Sequence, residues 1–278
     1  NDAIAKADPT IVVNGYTGTY DGNAHGATGT ATGVLGETLA GLDLGASFTN
    51  VPGGTAYWTF TDVTGNYNDK NGSVEIVLGK ANATITVTPY SVTYDGYAHT
   101  ATGTATGVET IPADLSSLLT LTGTTHTNAG TYNGDPWSFA GNGNYNADNG
   151  TVNDAIAKAD PTIVVNGYTG TYDGNAHGAT GTATGVLGET LAGLDLGASF
   201  SNVPGGTAYW TFTDVTGNYN DKNGSVEIVL GKANATITVT PYSVTYDGYA
   251  HTATGTATGV ETIPADLSSL LTLTGTTH

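Results

Sequence analysis

Alternation of apolar and polar residues predicts short strands along the whole chain. Ile85 and Val87 alternate with threonines, and the segment ATGTATGV at 101–108 alternates small residues with threonine. Val74, Ile76 and Leu78 show the same period of two near the end of a repeat. Such a period indicates strands with one buried face.

Turn signals separate these strands at short intervals. Asp-Gly, Asn-Gly and Pro-Gly-Gly divide each repeat into about six or seven strands. This spacing predicts an all-β fold, a tandem array of small immunoglobulin-like (Ig-like) β-sandwich modules. A weaker pattern at Pro112–Leu118 also fits a short helical turn. The alternative is therefore a β-grasp-like module with one short helix.

The chain repeats itself on two scales. Residues 1–126 recur as 153–278, and Thr49 against Ser201 is the single difference between the two copies. Each copy is itself double, because 7–34 aligns with 81–108. Repetition at fixed periods is typical of repeat architectures. It predicts the last strand of a preceding B module at 1–6, module A at 7–80, module B at 81–158, module A′ at 159–232 and part of module B′ at 233–278.

Both ends of the chain interrupt this repeat. NDAIAK at 1–6 equals NDAIAK at 153–158, and the last residue, His278, is equivalent to His126 inside module B. We therefore expect the 278 residues to be a window from a longer repetitive polymer.

Every module contains the tripeptide Tyr-Asp-Gly, followed two residues later by Ala-His. Asp-Gly favours a tight turn, because glycine adopts positive φ and aspartate bonds to nearby backbone. The tyrosine is expected to bury its ring and keep its hydroxyl at a polar edge. The alternative is an acid–base or metal pair of Asp21 with His25, which lacks a third ligand at fixed spacing. The motif residues of the first two modules are Tyr20, Asp21, Gly22, Tyr94, Asp95 and Gly96.

The acidic turns GNYNDKNG at 65–72 and GNYNADNG at 143–150 are rich in oxygen ligands, which hard cations such as calcium prefer. No EF-hand spacing is present, so solvated turns capped by Asn and Asp are the favoured interpretation. The calcium candidates, placed near module junctions, are Asp8, Asp69 and Asp148.

Three tryptophans lie in W-x-F strands, at Trp58, Trp137 and Trp210. We expect them to be core anchors, with a sugar-stacking platform as the alternative. Asp154 stands where module A has Ile76, so the alternation points its carboxylate inward, and Asp2 repeats this. A bulge or strand end is one explanation, and an internal isopeptide crosslink to lysine is another.

Composition narrows the classes of partner. Acidic residues number 24 against 6 lysines, arginine is absent, and the net charge is −18. Such a chain repels phosphate groups, which excludes nucleic acid. Absence of cysteine excludes disulfides and thiol nucleophiles. No apolar run approaches the ~20 residues that span a bilayer, so we expect no membrane insertion.

From the TYDG turn to the closing pattern GTY…W-x-F…GNYN…G-(S/T)-V, the modules resemble the MBG/YDG-type repeats of bacterial surface proteins. The resemblance covers essentially the whole chain. It implies large secreted adhesins with stalk-like arrays of Ig-like or β-grasp modules, and it implies no catalytic residues. Module A departs from the pattern in a shorter GTY region, and B′ in its truncation.

These observations predict a structural role in an extracellular filament or adhesin stalk at a bacterial cell surface. The partners would be neighbouring modules of the same chain or filament. The second hypothesis is a repeated binding module that recognises a surface glycan or protein through avidity. We expect no enzyme, because nothing assembles a nucleophile, a base and an orienting group, and no cofactor besides the calcium alternative.

Overall fold

The computed structural model describes residues 2–278 and consists of strands joined by turns, which confirms the all-β prediction. Within that range the helical elements are three 3₁₀ turns, at Ser116–Leu118, Thr122–Thr124 and Ser268–Leu270. The first falls inside the predicted helical turn at Pro112–Leu118. Nowhere in 2–278 is there a helix with the length and apolar character needed to cross a membrane.

Module A contains six strands in two sheets. The strands are β1 (Thr10–Asn14), β2 (Tyr16–Thr19), β3 (Thr28–Thr32), β4 (Leu42–Asp43), β5 (Gly53–Phe60) and β6 (Lys70–Gly79). The chain passes from the first sheet to the second between β1 and β2. β1 pairs antiparallel with β3, whereas β2 runs parallel to β6 in a sheet of order β2-β6-β5-β4. Gly15 stands at the change, where a β-carbon would lie 2.2 Å from the carbonyl oxygen of Glu75. Only glycine permits this close approach.

Module B has the same arrangement. Its strands are β7 (Thr84–Thr88), β8 (Ser91–Thr93), β9 (Thr102–Thr106), β10 (Leu119–Thr120), β11 (Gly130–Phe139) and β12 (Asp148–Ala157). The sheets have the orders β7-β9 and β10-β11-β12-β8. The recurrence of one pairing scheme in A and B agrees with their sequence alignment.

Module A′ repeats A strand for strand, and B′ is partial. A′ contains β13 (Thr162–Asn166), β14 (Tyr168–Thr171), β15 (Thr180–Thr184), β16 (Leu194–Asp195), β17 (Gly205–Phe212) and β18 (Lys222–Gly231), in sheets β13-β15 and β14-β18-β17-β16. The strands of B′ are β19 (Thr236–Thr240) and β20 (Thr254–Thr258), which pair with each other.

One core cluster of module A consists of Ala31, Leu39, Phe60 and Tyr67, and Ala56, Ile76 and Leu78 are also buried in the module. Each of these side chains lies on the inward face of a strand or in the loop that closes the module. The equivalent positions form the cores of B and A′. A single-module core of this size contributes little stability, since small domains bury only about 60% of their unfolded surface.

The chain divides into two compact units that do not coincide with the sequence repeats. One unit comprises Thr93–Tyr97, Asn128–Gly130 and Ile156–His278, and the other comprises the remainder of the described chain. Three short segments of module B, at 93–97, 128–130 and 156–158, therefore belong to the same unit as module A′.

Residues 2–6 are not in a strand, and residue 1 lies outside the described residues, so the strand expected at 1–6 as the end of a preceding module stays a prediction. The equivalent residues 153–158 fall largely within β12, which lies between β11 and β8. The residues of B′ equivalent to β8 are not assigned as a strand.

Candidate functional site at the module junctions

The Tyr-Asp-Gly turn has the geometry that its sequence predicts. Asp21 Oδ1 accepts the backbone N–H of Asn23 at 2.9 Å and bonds to His25 Nε2 at 2.9 Å. Gly22 has a φ of 81°, a region that favours glycine. The imidazole of His25 stacks on Tyr16, with ring centroids 4.1 Å apart. The loop is therefore held in one conformation by the hydrogen bonds of Asp21 and by the stacking of His25 on Tyr16.

The Asp–His pair is a structural element of this turn. The hydrogen bond from His25 is the main cause that lowers the pKa of Asp21 to about 2, followed by bonds from Asn23. The same pair recurs as Asp173–His177 and Asp247–His251. Across 2–278, no group of three or more His, Cys, Asp or Glu side chains is arranged to hold a metal ion. The Asp21–His25 pair thus has no third ligand beside it.

Tyr20 inserts into the core of module B. Its ring is buried and belongs to the cluster of Ala105, Phe139 and Tyr145. The rings of Tyr20 and Tyr145 meet edge to face, with centroids 5.4 Å apart, a favoured aromatic geometry. The prediction of a buried ring with a polar-edge hydroxyl is correct for Tyr20, but the ring is buried by the next module and not by its own.

Glu109 binds both tyrosines through one carboxylate oxygen. Oε1 accepts the hydroxyl of Tyr20 at 2.8 Å and the hydroxyl of Tyr145 at 2.7 Å. Oε2 accepts the backbone N–H of Ala113 at 3.2 Å. The carboxylate of Glu109 therefore binds one side chain of module A, Tyr20, and two groups of its own module.

The junction carboxylate is ionised, which strengthens these bonds. Burial raises the pKa of Glu109, but hydrogen bonds from Tyr145, the backbone and Tyr20 outweigh burial and lower it to about 2. Burial, followed by the bond to Glu109, raises the pKa of Tyr145 to about 12. Between these values a charged acceptor faces neutral donors, and such bonds are stronger than neutral pairs.

Gly22 completes the motif because it lies against Glu109. A β-carbon on Gly22 would stand 2.6 Å from Glu109 Cγ, so any side chain there would push the carboxylate away. Gly174 has the same relation to Glu261, at 2.8 Å. The tripeptide thus supplies an inserted ring, a turn-forming carboxylate and a bare backbone surface.

The same insertion occurs in the unit that contains A′. Tyr94 packs against the A′ core, and its ring meets Tyr219 edge to face at 5.5 Å. Further along, the hydroxyl of Tyr172 donates to Glu261 Oε1 at 2.8 Å. Tyr246, the fourth motif tyrosine, is 94% exposed.

An asparagine beside the inserted tyrosine adds a polar contact at two junctions. Asn144 Oδ1 accepts the backbone N–H of Val51 at 3.1 Å, and its Nδ2 donates to Asn50 at 2.9 Å. In the A′ unit, Asn218 Oδ1 accepts the N–H of Ala129 at 2.8 Å. The GNYN motif therefore binds the preceding module with both its first asparagine and its tyrosine.

No model of a protein family matches this sequence, and no curated protein matches it. The resemblance to MBG/YDG-type repeats stays a prediction. The functional argument therefore rests on the chemistry of the junctions.

Sequence reasoning missed the glutamates of the junction. Glu37, Glu109, Glu189 and Glu261 each follow a Gly-Val pair shortly after the second strand pattern of a module. The sequence could have indicated them, because a glutamate recurs at this place in every module although only 11% of the residues are charged.

The tryptophans are half-buried, and the expectation that they anchor the core stays a prediction. Trp58 shares the inward face of β5 with Phe60, and Phe60 is the fully buried residue. The cross-strand neighbour of Trp58 is Gly72, whose missing side chain leaves the indole resting on backbone and partly open to water. Trp210 is half-buried in the same way, and Trp137 packs at the margin of the B core.

The three calcium candidates already have hydrogen-bond partners. Asp8 bonds to Lys70 Nζ at 2.8 Å, so a cation already faces this carboxylate. Asp69 accepts the N–H of Asp62 at 2.8 Å, and Asp148 that of Asn149 at 2.8 Å. The interpretation as solvated turns stays a prediction. Calcium binding stays a prediction.

Asp154 lies inward, where the alternation places it, and is 1% exposed. Its Oδ1 accepts the backbone N–H of Tyr90 at 2.9 Å. The carboxylate therefore binds the chain just before β8, and a hydrophobic side chain such as Ile76 has no such bond to offer. The isopeptide hypothesis for this residue stays a prediction.

Proposed function

We propose that this chain is a structural repeat region of an extracellular filament or adhesin stalk at a bacterial cell surface. The supporting observation is that the motif tyrosines Tyr20, Tyr94 and Tyr172 each contact the module that follows in sequence. A motif that joins modules, and does so in every copy with a module after it, suits a protein whose copy number sets its length.

The junction chemistry favours coupled modules over freely hinged ones. Burial of a large side chain such as Tyr20 stabilises by about 2 kcal/mol, and a hydrogen bond to a charged group adds about 1.5–3 kcal/mol. In linear arrays, stability is the sum of module and nearest-neighbour terms. Modules with cores as small as that of A gain a large share of their stability from such contacts.

The strand pairing supports the Ig-like form of the fold. The first strand changes sheets at Gly15, so β1 belongs to one sheet and β2 to the other. Strands that switch sheets at a bend form the corners of packed two-sheet structures. Each module is then a reduced sandwich of a two-stranded and a four-stranded sheet.

Composition agrees with an exposed location. A net charge of −18 limits nonspecific association of adjacent copies. A chain without cysteine folds independently of redox conditions.

Length measurements test the proposal. Chains with one, two and three copies of residues 7–158 are compared by small-angle X-ray scattering. Coupled modules should increase the maximum dimension by an equal step per copy, with roughly 30–40 Å per module from strand lengths. A dimension that grows as the square root of copy number, as for a flexible linker, would contradict the proposal.

A second candidate, repeated binding of glycan or protein, has one observation in its favour. Tyr57 on β5 is 72% exposed, and its equivalent Tyr209 is 73% exposed, so the same ring is exposed in both A-type modules. Tyrosine rings of this kind stack against apolar faces of ligands. Loss of binding on a glycan array in the variant Tyr57→Ala/Tyr209→Ala, with Tyr97→Ala as the control, supports this function.

A further inference from the structure

One asparagine of module B lies in an exposed turn directly before a glycine. Asn-Gly occurs seven times in the chain, and this dipeptide cyclises readily because glycine has no side chain to hinder its amide nitrogen. Asn142 is the one asparagine of the seven that lies outside a strand, and both it and Gly143 are exposed. The other six lie in strands, namely Asn14, Asn71, Asn133, Asn149, Asn166 and Asn223.

A strand keeps the side chain of an asparagine away from the following amide. Side chains stand roughly perpendicular to a sheet, whereas the backbone N–H groups lie in its plane and pair with neighbouring strands. The side-chain carbon Cγ therefore does not approach the next nitrogen. The turn at Asn142 lacks this restraint, and a β-carbon added to Gly143 would meet no atom within 4 Å.

The turn also places hydrogen-bond donors on the side-chain oxygen of Asn142. Oδ1 accepts the backbone N–H of Asn144 at 2.8 Å and that of Tyr145 at 3.0 Å. Attack of a nucleophile on Cγ moves negative charge onto this oxygen. Two fixed N–H donors stabilise such charge in the way that an oxyanion hole does.

A lysine from the end of module A acts on the attacking nitrogen. Lys80 Nζ donates to the backbone carbonyl oxygen of Asn142 at 2.6 Å. This carbonyl belongs to the same peptide group as the N–H of Gly143. Because a nearby positive charge favours the anionic form of a group, the lysine favours loss of the N–H proton, which generates the nucleophile.

We propose that Asn142 is a site of spontaneous deamidation through a succinimide. The deprotonated nitrogen of Gly143 forms a bond to Cγ of Asn142, the bond from Cγ to Nδ2 breaks, and Nδ2 leaves as ammonia after it takes a proton from water. A water molecule then opens the ring. Its addition at Cγ gives aspartate, and its addition at the backbone carbonyl carbon gives isoaspartate. Water is the single co-reactant, so the reaction does not depend on the proposed function.

Isoaspartate at this position would disturb the junction between modules A and B. It adds a methylene to the main chain two residues before Asn144 and Tyr145, which bind Asn50 and Tyr20 of module A. The A-type modules carry Thr-Gly at the equivalent place, and threonine has no amide to lose. The reaction is therefore confined to B-type turns, and the A-type turns are Thr64–Gly65 and Thr216–Gly217.

Peptide mapping by mass spectrometry tests the site. The full chain is incubated at mildly alkaline pH, and the exchange of an amide for a carboxyl group is followed at every Asn-Gly pair. Asn142 should convert several-fold faster than Asn149, which also precedes glycine but lies in a strand of the same module. A rate at Asn142 equal to that at Asn149, or below it, would overturn the proposal.

Unfolding separates the structure from the sequence. In urea, Asn142 and Asn149 should convert at similar rates, since both precede glycine and neither is held by the fold. A difference of the same size in urea would assign the selectivity to the local sequence and contradict the structural mechanism. Lys80→Gln should slow conversion at Asn142 in the folded chain and leave Asn149 unchanged. An unaltered rate at Asn142 would remove the lysine from the mechanism.

The effect on the junction has its own measurement. Gly143→Ala is the matched control, because the added methyl hinders the nitrogen and the space around Gly143 accommodates it. After equal incubation, the urea midpoint of module B should fall in the parent chain and stay constant in Gly143→Ala. An equal fall in both chains, or none in a parent chain that has converted, would contradict the link between deamidation and the junction.

Discussion

Modules A and A′ differ in sequence only at Thr49 against Ser201 and occur in two settings. Their strand registers are identical, since β5 pairs with β6 as β17 pairs with β18. Their surfaces differ, because Asn66 is exposed while Asn218 is buried beside Asn128 and Ala129. The strand pairing is therefore the same in both modules. The burial of this asparagine differs, because in A′ residues of module B lie beside it.

The buried tyrosines show the same contrast in their ionisation. The hydrogen bond to Glu37 is the main cause that raises the pKa of Tyr67. For Tyr219 burial is the main cause, ahead of the bond to Glu189, and the pKa is raised to about 12. The hydrogen bond to glutamate raises the tyrosine pKa in both modules. In A′ the burial of Tyr219 is an additional and larger cause.

The largest expected effect comes from removing an inserted ring. Tyr20→Ala should lower the free energy of unfolding of module B by about 3 kcal/mol, since it leaves a cavity in the B core. Tyr246→Ala should change stability by less than about 0.5 kcal/mol, since that side chain is exposed. Urea unfolding, followed by Trp137 fluorescence in a Trp58→Phe/Trp210→Phe background, measures module B. Equal effects of the two substitutions would show that the ring makes no junction contact.

A smaller effect isolates the glycine of the motif. Gly22→Ala should destabilise by about 2 kcal/mol, because positive φ costs alanine about 1 kcal/mol and the new methyl meets Glu109. At Gly248, where φ is 83° and a β-carbon would meet nothing within 4 Å, alanine incurs the backbone cost alone. Calorimetric unfolding of both variants gives the contact cost as the difference. No difference would place Glu109 away from Gly22.

The smallest expected effect is the pH dependence of the junction. The pKa of Glu109 is lowered from its ordinary value of 4.5 to about 2. The stabilisation is thus complete above about pH 4.5 and is lost as the pH falls towards 2. We expect a loss of about 1 kcal/mol, because a protonated carboxyl still accepts hydrogen bonds.

The control for this prediction is Glu109→Gln, which should flatten the acid side of the stability profile of module B. Urea midpoints from pH 6 to 2.5 measure it with the same Trp137 signal. A Glu109→Gln profile as steep as the parent's would assign the pH dependence to other carboxylates.

The sequence predicted what depends on neighbouring residues and missed what depends on distant ones. Alternation in 84–88 locates β7, and Asp-Gly at 21–22 fixes a turn with positive φ, because both follow from local backbone geometry. Tyr20 was correctly expected to be buried, but its acceptor Glu109 is 89 positions away in another module. A spacing rule carries no information about that contact.

Each junction has a direction, and that direction gives the array an order of assembly. The inserted ring always comes from the earlier module, and the receiving core always belongs to the later one. Module B incorporates Tyr20 from A, and Tyr94 of B packs against the core of A′. As the chain emerges from its amino end during synthesis, every receiving core therefore forms next to a loop that is already folded. Each folded module thus presents the tyrosine ring around which the core of the next module forms.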